Sequence, residues 1–206
     1  YTLIPESSRY MSRKKLSITI GVKAAQSEWI MLMEPSCRPE SEHWLATMAR
    51  NCNKDKDLVI GYSRYDDDAK MYQRFERMLT QCYSLREAQQ STAYRHYGSN
   101  LMIRKSLFMQ QEGFRSSLNL VRGEYDFLVN DFASADNTAT ETSPQAHLVE
   151  DAPTHKAWLY HHMYYLESRK ILKRGIKHRL VFNIDQIMLH TTVIADIAAI
   201  AASVAL

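Results

Sequence analysis

The chain has 206 residues, of which 45% are hydrophobic and 10% aromatic, so it is long enough and apolar enough to form one substantial core and is not typical of a disordered protein. Its formal net charge of +3 is modest and does not favour a nucleic acid as the partner of the whole chain. Cys37, Cys52 and Cys82 have neither CxxC nor Cys/His metal spacing, which predicts three reduced, buried thiols rather than a disulfide framework.

The first part of the chain alternates helical and strand patterns. Residues 1–5 (YTLIP) are typical of the end of a strand, and because no initiator methionine precedes them we expect the sequence to begin inside a larger protein. Ser12 is suited to cap a helix that continues to about Ala25. The apolar run 29–33 is too short for a typical helix, so it predicts a strand that is buried on both faces and stops at Glu34.

The next segments continue the α/β alternation. Pro39 is placed to open a helix that ends near Cys52, and residues 57–65 predict a further strand. Residues 69–90 contain the longest helical pattern, with apolar residues every three or four positions and no Gly or Pro. We expect the following side chains of that helix to face the core: Met71, Phe75, Met78, Leu79, Cys82 and Leu85.

The second half combines short strand and helix signals. Gly98 permits close backbone approach ahead of a strand at 101–103, and Ser106 is suited to cap a short helix. Residues 136–149 fit either a strand pair or an exposed loop, and Pro153 with Thr154 predicts the start of a helix rich in aromatic residues.

The C-terminal tail differs in composition from the rest of the chain. Residues 169–179 are rich in lysine and arginine, and residues 180–206 are apolar and small. The segment 187–206 is long enough to cross the roughly 30 Å hydrocarbon core of a bilayer, with the basic segment on the cytoplasmic side. Asp196 opposes insertion, since a central acid costs about 2.5–3.5 kcal/mol, so a helix packed on its own domain is the alternative.

Two acidic turns are candidate functional sites. In open α/β sheets ligands bind beyond the carboxyl ends of the strands, so Glu34 is a candidate for chemistry. A simple polar turn through Pro35 and Ser36 is the alternative interpretation. Glu124 and Asp126 stand at a predicted helix start, where capping alone would explain only one of them.

Several short stretches occur in an order and spacing similar to those of a known enzyme family. The stretches are IP (4–5), SRKKL (12–16), GVKAA (21–25), WIMLMEPSCRP (29–39), LVIGY (58–62), RFE (74–76), GSNL (98–101), RKSLF (104–108), GF (113–114) and GEYDFLVN (123–130). Together they resemble the family-two glycosyltransferases of GT-A fold, particularly bacterial membrane-anchored members. The resemblance extends to about residue 172 and implies an α/β fold with a Rossmann-like mixed sheet flanked by helices, lacking its first βα units, with a C-terminal apolar helix.

The resemblance implies an inverting transfer of a sugar from a nucleotide-diphosphate donor to an acceptor hydroxyl of a glycan or a lipid-linked glycan. In such enzymes an Asp-x-Asp turn holds a divalent ion on the diphosphate, because the charge of the leaving group must be neutralised. Glu34 and Ser36 occupy that turn here, so they are the implied ligands of Mg²⁺ or Mn²⁺. Asp126 or Glu124 is the implied general base on the acceptor, and the spacing does not choose between them.

The resemblance also implies contacts with the donor at Asn100, His161 and His162. The two histidines stand where the family carries permanent cations, and neutral imidazoles bind phosphate less strongly. The implied organisation is a catalytic domain at 1–168 with its N-terminal part missing, a basic juxtamembrane segment at 169–179 and an apolar helix at 180–206.

The implied partners are the nucleotide-diphosphate sugar, the acceptor and a membrane surface or bilayer, with the catalytic domain cytoplasmic and no nucleic acid. The metal, base and phosphate positions all depart from the family pattern. An inactive glycosyltransferase-like domain that serves as a membrane-proximal interaction module is therefore the alternative function.

Overall fold

The computed structural model describes residues 11–205, so the strand end predicted at residues 1–5 lies outside the described residues. The chain divides into two compact units, the first ending at Lys173 and the second beginning at Arg174. The first contains both sheets and six of the described α-helices, and the second is a single long helix.

Short strands of the first unit form two mixed sheets. The strands are β1 (Trp29–Leu32), β2 (Cys37–Pro39), β3 (Leu58–Gly61), β4 (Ser63–Tyr65), β5 (Leu101–Arg104), β6 (Thr138–Glu141) and β7 (Leu148–Glu150). The first sheet has the order β1-β5-β3-β6, in which β5 is antiparallel to both of its neighbours and β3 pairs in parallel with β6. The second has the order β2-β7-β4, with β4 parallel to β7 and β2 antiparallel to it.

The helices of the first unit flank these sheets. They are α1 (Arg13–Ala24), α2 (Trp44–Ala49), α3 (Met71–Gln90), α4 (Lys105–Gln110), α5 (Glu124–Phe132) and α6 (His155–Ser168), and the second unit contains α7 (Ile176–Ala205). The side chain of Ser12 accepts a hydrogen bond from the backbone N–H of Lys15, and Thr154 accepts one from that of Ala157. The predicted starts of α1 and α6 are confirmed, as is the mixed α/β class with flanking helices.

The first sheet is covered on both faces because its strands alternate their side chains. Leu58 and Ile60 pack with α3, α4 and α5, whereas Val59 between them packs on the opposite side with Trp44 and Met48 of α2. The core of the first unit is therefore centred on β3 and β5.

Four strand and helix predictions were wrong. Ser106 does not cap α4 but lies inside it, because the helix begins at Lys105 and the Ser106 hydroxyl donates to the Glu28 carboxylate. The strand at 29–33 is an edge strand, and of its four observed residues only Leu32 is buried. Pro39 ends β2 instead of opening a helix, and α2 begins later at Trp44. The run 57–65 forms two strands, β3 and β4, which belong to different sheets.

Helix α3 has the predicted length but the opposite orientation. Of the six side chains expected in the core only Leu85 is buried, and Met71 is 85% exposed. Its buried face is largely polar, with Gln73, Arg77 and Gln81 turned inward. This arrangement is stable because α3 covers polar positions of the second sheet, which give its inward side chains hydrogen-bond partners. Buried polar groups with such partners avoid the cost of lost solvation.

All three cysteines are free, as predicted, but they differ in exposure. Cys37 is buried, Cys52 is half-buried, and Cys82 on the outer face of α3 is exposed. The prediction of three buried thiols is therefore wrong at Cys82.

The second unit contains the apolar helix α7. The stretch Ile176–Ser203 is long and apolar enough to cross a membrane, with a mean hydropathy of 1.4. The helix begins at Ile176, four residues before the expected start at residue 180, so the end of the basic segment is already helical.

Candidate functional site

A cavity of about 250 Å³ in the first unit is the best candidate for a functional site. Its wall receives residues from the start of α1, the turn after β1, the loop before β5, the start of α5, the end of β7 and the inner face of α6. The predicted site residues that line it are Glu34, Ser36, Glu124, Asp126 and His161. The acidic turn after β1 and the acidic start of α5 therefore face one cavity.

Glu34 is held in the cavity wall by contacts on both its backbone and its side chain. Its backbone N–H donates to the hydroxyl of Ser99 at 2.7 Å, and its carboxylate pairs with the ammonium group of Lys14. The same ammonium group lies 5.0 Å from the centre of the Tyr125 ring. Burial and then the charge of Glu34 raise the pKa of the Tyr125 hydroxyl, so this phenol stays protonated beside the carboxylate.

The two lysines in the first turn of α1 have different partners, one a carboxylate and the other backbone carbonyl groups. Lys14 meets Glu34 across the cavity wall, whereas Lys15 is completely buried. The Lys15 ammonium group donates to the carbonyl oxygens of Ser117 and Leu120 at 2.7 and 3.0 Å. Burial lowers the pKa of Lys15 to about 8, while Glu124 opposes that shift. Lys15 therefore acts structurally, and Lys14 is the lysine that faces the cavity.

Gly123 fixes the start of α5 against the cavity. Its φ of +85° is in the left-handed region, where residues with a side chain are strained. A Cβ atom at this position would also lie 2.8 Å from Oγ of Ser168 and 2.9 Å from the Phe127 ring. The close approach of α5 to α6 therefore requires glycine, and it directs the next three residues, Glu124 to Asp126, toward the cavity.

The two acids of α5 have different surroundings. Glu124 accepts a hydrogen bond from the Ser12 hydroxyl at 3.0 Å, whereas Oδ1 of Asp126 is buried without a hydrogen-bond partner among the described residues. Burial raises the pKa of Asp126 to about 6, with Arg95 lowering it and Glu124 raising it further. A carboxyl group with such a pKa can accept a proton at neutral pH and release it again, so the surroundings single out Asp126 where spacing alone does not.

A buried ion pair forms another wall of the cavity. Nη2 of Arg77 on α3 donates to Oε2 of Glu150 at 2.7 Å and to the Ser63 hydroxyl at 2.9 Å. Gly98 passes directly over this guanidinium group, and a Cβ atom there would lie 2.8 Å from Nη2 of Arg77. The guanidinium also stacks 4.4 Å from the centre of the Tyr97 ring. The close backbone approach predicted at Gly98 therefore occurs, and it covers the buried guanidinium group of Arg77.

The two predicted histidines lie in different places. His161 lines the cavity, and its Nδ1 is 2.9 Å from the Tyr97 hydroxyl. Desolvation in the crowded wall lowers the pKa of His161, with Glu150 opposing the shift, so this imidazole is neutral at pH 7. His162 points instead toward α3, where it packs 4.4 Å from the Trp158 ring and 3.4 Å from the Glu76 carboxylate.

Asn100 does not line the cavity and holds the backbone instead. Its side-chain amide donates to the carbonyl oxygens of Tyr62 and Ala146, both at 2.8 Å, and its Oδ1 accepts from the Trp44 indole at 3.0 Å. A Cβ atom on Gly61 would lie 2.4 Å from this amide, so the glycine makes room for it. The donor contact predicted at Asn100 is therefore replaced by a structural role.

Sequence reasoning did not identify several cationic and aromatic residues of the cavity. These residues are Lys14, Arg77, Arg122, Tyr164 and Tyr165. Arg122 is the most exposed cation of the group, and its guanidinium lies 5.0 Å from the centre of the Tyr164 ring. The only signal in the sequence is the position of Arg122 directly before Gly123, within the acidic turn.

The side chains present fit a divalent metal poorly. Glu34 and Ser36 offer one carboxylate and one hydroxyl, and the carboxylate is already paired with Lys14. Among residues 11–205 no group of three His, Cys, Asp or Glu side chains is arranged to hold a metal ion. A divalent cation at Glu34 would have to displace the Lys14 ammonium group, since two cations do not share one carboxylate favourably.

Comparison with known proteins does not add a relative. No protein-family model matches the chain, and no curated protein matches it significantly. The cavity combines a buried carboxyl with a pKa of about 6, a neutral imidazole and two cationic side chains, Lys14 and Arg122, in one lining.

Proposed function

We propose that this cavity transfers a sugar from a nucleotide-diphosphate donor to an acceptor hydroxyl, with inversion at the sugar carbon. The observation that carries the proposal is that Asp126, a buried carboxyl with a raised pKa, lies in the same cavity as Lys14 and Arg122. A proton acceptor and a cationic site for a leaving anion are the two parts that such a reaction requires. The resemblance to GT-A glycosyltransferases supports the same assignment.

In the proposed reaction Asp126 accepts the proton of the acceptor hydroxyl. The hydroxyl oxygen forms a bond to the anomeric carbon while the bond from that carbon to the diphosphate oxygen breaks, and the electron pair remains on the diphosphate. Because the pKa of Asp126 is about 6, its carboxylate is present at neutral pH and is more basic than an ordinary aspartate. Burial keeps the pKa of Asp126 high against the opposing charge of Arg95, and the negative charge of Glu124 adds to the effect of burial.

Lys14 and Arg122 neutralise the leaving diphosphate in this proposal. Both line the cavity, and a fixed cation in a partly desolvated site stabilises developing negative charge more strongly than water does. Glu34 positions the Lys14 ammonium group. The Mg²⁺ or Mn²⁺ ion expected from the resemblance would compete with Lys14 for Glu34, so no step of the proposed reaction depends on it.

The basic segment and α7 suggest where in the cell the proposed reaction takes place. We assign the first unit to a GT-A-like domain on the cytoplasmic side of a membrane and α7 to its attachment, since α7 follows a basic segment and is long enough to span. The acceptor in this proposal is a glycan or a lipid-linked glycan at that membrane.

One observation favours a second candidate function. The carboxylate at the predicted metal position is neutralised by Lys14, and the imidazole at the predicted phosphate position is uncharged. Both features are compatible with a domain that has kept the fold and lost turnover, and that serves as an interaction module at the membrane. Such a module would bind neither the donor nor its nucleotide product.

The test uses the full-length protein in membranes with a panel of nucleotide-diphosphate sugars. Transfer is followed by release of the nucleotide diphosphate, and Asp126→Asn is expected to reduce the rate by a factor of roughly 10²–10⁴, the usual contribution of a general base. Binding of the nucleotide diphosphate, measured by calorimetry, is expected to survive in the variant. Asp136→Asn, on an exposed carboxyl, is the matched control. Unchanged turnover in Asp126→Asn would refute the assigned base, and absence of nucleotide binding by the wild type would favour the interaction module.

A further inference from the structure

The outer face of α3 is apolar although its inner face is polar. Phe75 is 56% exposed, and Met78 and Leu79 are each 41% exposed. Together with Met71 these residues recur at three and four positions, so they form a single stripe along the helix. Exposed apolar area of this kind marks an interaction surface, since scattered single residues would not align on one helix face.

Helix α6 extends this apolar surface. Its Leu159, Met163 and Leu166 are 44%, 60% and 57% exposed, and their spacing of three and four places them on one face. The stripes of the two helices, residues Met71, Phe75, Met78 and Leu79 of α3 with Leu159, Met163 and Leu166 of α6, are together called the apolar patch.

Polar and aromatic contacts hold the two helices side by side. The Tyr72 hydroxyl is 3.1 Å from Nδ1 of His155, and the Trp158 indole donates to Oε2 of Glu76 at 3.4 Å. The Tyr72 and Trp158 rings are 5.2 Å apart and meet edge to face. Leu159 follows Trp158 and Phe75 precedes Glu76 along their helices, so each stripe borders the side of its helix that contacts the other helix. The two stripes therefore lie on neighbouring helices of the first unit.

The segment that joins α6 to α7 is short. Leu172 is buried with Tyr94 and Phe127, and only four positions separate it from Ile176, the first residue of α7. Four residues extend at most about 14 Å, so an α7 attached to lipid would tether the first unit by a short segment.

The charge that follows α6 in the sequence suits an anionic lipid surface. Arg169 and Lys170 follow α6 directly, Lys173 is paired with Asp131, and residues 169–179 contain no acidic side chain. Basic clusters of this kind are attracted to anionic headgroups, while the apolar side chains of an adjacent helix enter the boundary between headgroups and acyl chains.

We propose that the apolar patch of α3 and α6 docks on the headgroup region of an anionic lipid bilayer. Docking explains why α3 exposes its apolar face to the outside, because this face is buried by lipid rather than by protein. The proposal adds a second membrane contact to the one made by α7, and it holds whether or not the cavity transfers a sugar.

Cys82 provides a native position for a probe at the end of the α3 stripe. It is exposed, whereas burial raises the pKa of the Cys37 and Cys52 thiols and slows their alkylation. A polarity-sensitive maleimide fluorophore therefore labels Cys82 first. Leu45→Cys in a Cys82→Ser background is the control position, since Leu45 is 51% exposed on α2, which covers the opposite face of the first sheet.

The experiment places the labelled full-length protein in vesicles of phosphatidylcholine and phosphatidylglycerol. We expect lipids with a nitroxide on a shallow acyl carbon to quench the Cys82 probe severalfold, while iodide in the water does not reach it. The probe at position 45 should show the reverse. Phe75→Gln combined with Leu79→Gln should return the Cys82 probe to water while α7 still keeps the protein in the vesicles, and Leu45→Gln should change nothing.

Three results would overturn the proposal. The Cys82 probe could respond to iodide and nitroxide as the position 45 probe does, which would mean that the patch faces water. It could be shielded at high protein concentration in detergent but not by lipid, which would mean that a second copy of the chain covers it. The full-length protein could fail to float with the vesicles, which would remove the attachment on which the geometry depends.

Discussion

Replacement of Asp126 by asparagine is expected to stabilise the protein at neutral pH while removing its proposed base. Burial raises the pKa of this carboxyl from 3.8 to about 6, with Arg95 opposing the shift and Glu124 adding to it. The folded state therefore binds the proton more tightly than the unfolded chain, so an ionised Asp126 opposes folding. Since one pH unit of pKa difference is worth about 1.4 kcal/mol, the penalty is on the order of 3 kcal/mol once the group is ionised in both states.

The penalty depends on pH in a defined direction. It is small below about pH 4, where both states hold the proton, and it grows between about pH 4 and pH 6 as the unfolded chain loses its proton first. It is complete above about pH 6. Asparagine cannot ionise, so the gain in stability from Asp126→Asn is expected to be about 1 kcal/mol at pH 4.5 and about 3 kcal/mol at pH 7.5.

Urea unfolding of the full chain in detergent micelles, followed by tryptophan fluorescence at pH 4.5 and pH 7.5, measures these values. Trp29, Trp44 and Trp158 all lie in the first unit, so the signal reports on the cavity domain. Asp136→Asn, at an exposed position, is expected to change stability by less than about 0.5 kcal/mol at either pH. A variant Asp126→Asn that is no more stable than the wild type at pH 7.5, or whose gain does not decrease toward acid pH, would refute the buried, ionised carboxyl. A stable but inactive variant would show that activity is lost through chemistry and not through misfolding.

Three further substitutions test other parts of the site. Lys14→Gln removes a cation from the cavity, so nucleotide diphosphate should bind about tenfold more weakly without metal. The variant also frees the carboxylate that Lys14 pairs with, so Mn²⁺ should partly restore binding. Wild-type binding should not respond to Mn²⁺ in the same calorimetric titration. Gly123→Ala should cost about 1–3 kcal/mol in urea unfolding because of the positive φ and the short contacts. Gly21→Ala, with open space at its Cβ position within α1, should stabilise the protein by about 0.5–1 kcal/mol. Equal effects of the two substitutions would argue against the role assigned to Gly123. Arg77→Met leaves the largely buried Glu150 carboxylate on β7 without its partner and should cost about 3–5 kcal/mol. Met71→Gln on the exposed face of the same helix should be nearly neutral, and the reverse order would contradict the inward polar face of α3.

Much of the secondary structure could be predicted because its signals are local. The caps Ser12 and Thr154 satisfy backbone N–H groups three residues away, and they mark the starts of α1 and α6 in the sequence as well as in the structure. The length of α3 follows from an uninterrupted helical pattern in the same way. The short apolar run before Glu34 also placed its carboxylate at the end of a strand, which is one side of the cavity.

The orientation of α3 could not be predicted because periodicity defines an apolar face without defining what that face contacts. The choice was made by the second sheet, where Ser63 and Glu150 give Arg77 and Gln81 partners that water would otherwise supply. The cationic side of the cavity was missed for a related reason. Lys14 pairs with a residue 20 positions away and Arg77 with one 73 positions away, and neither separation leaves a pattern in the sequence.

The hydrogen bonds of Asn100 tie together the points at which the chain passes from one sheet to the other. Tyr62 lies between β3 and β4, and Ala146 precedes β7, so both sheets are fixed to one amide group. Neither sheet can shift against the other without breaking these bonds. Amide hydrogen exchange is therefore expected to report β3, β5 and β7 as a single cooperative opening unit, and Asn100→Ala is expected to split it into two that exchange at different rates.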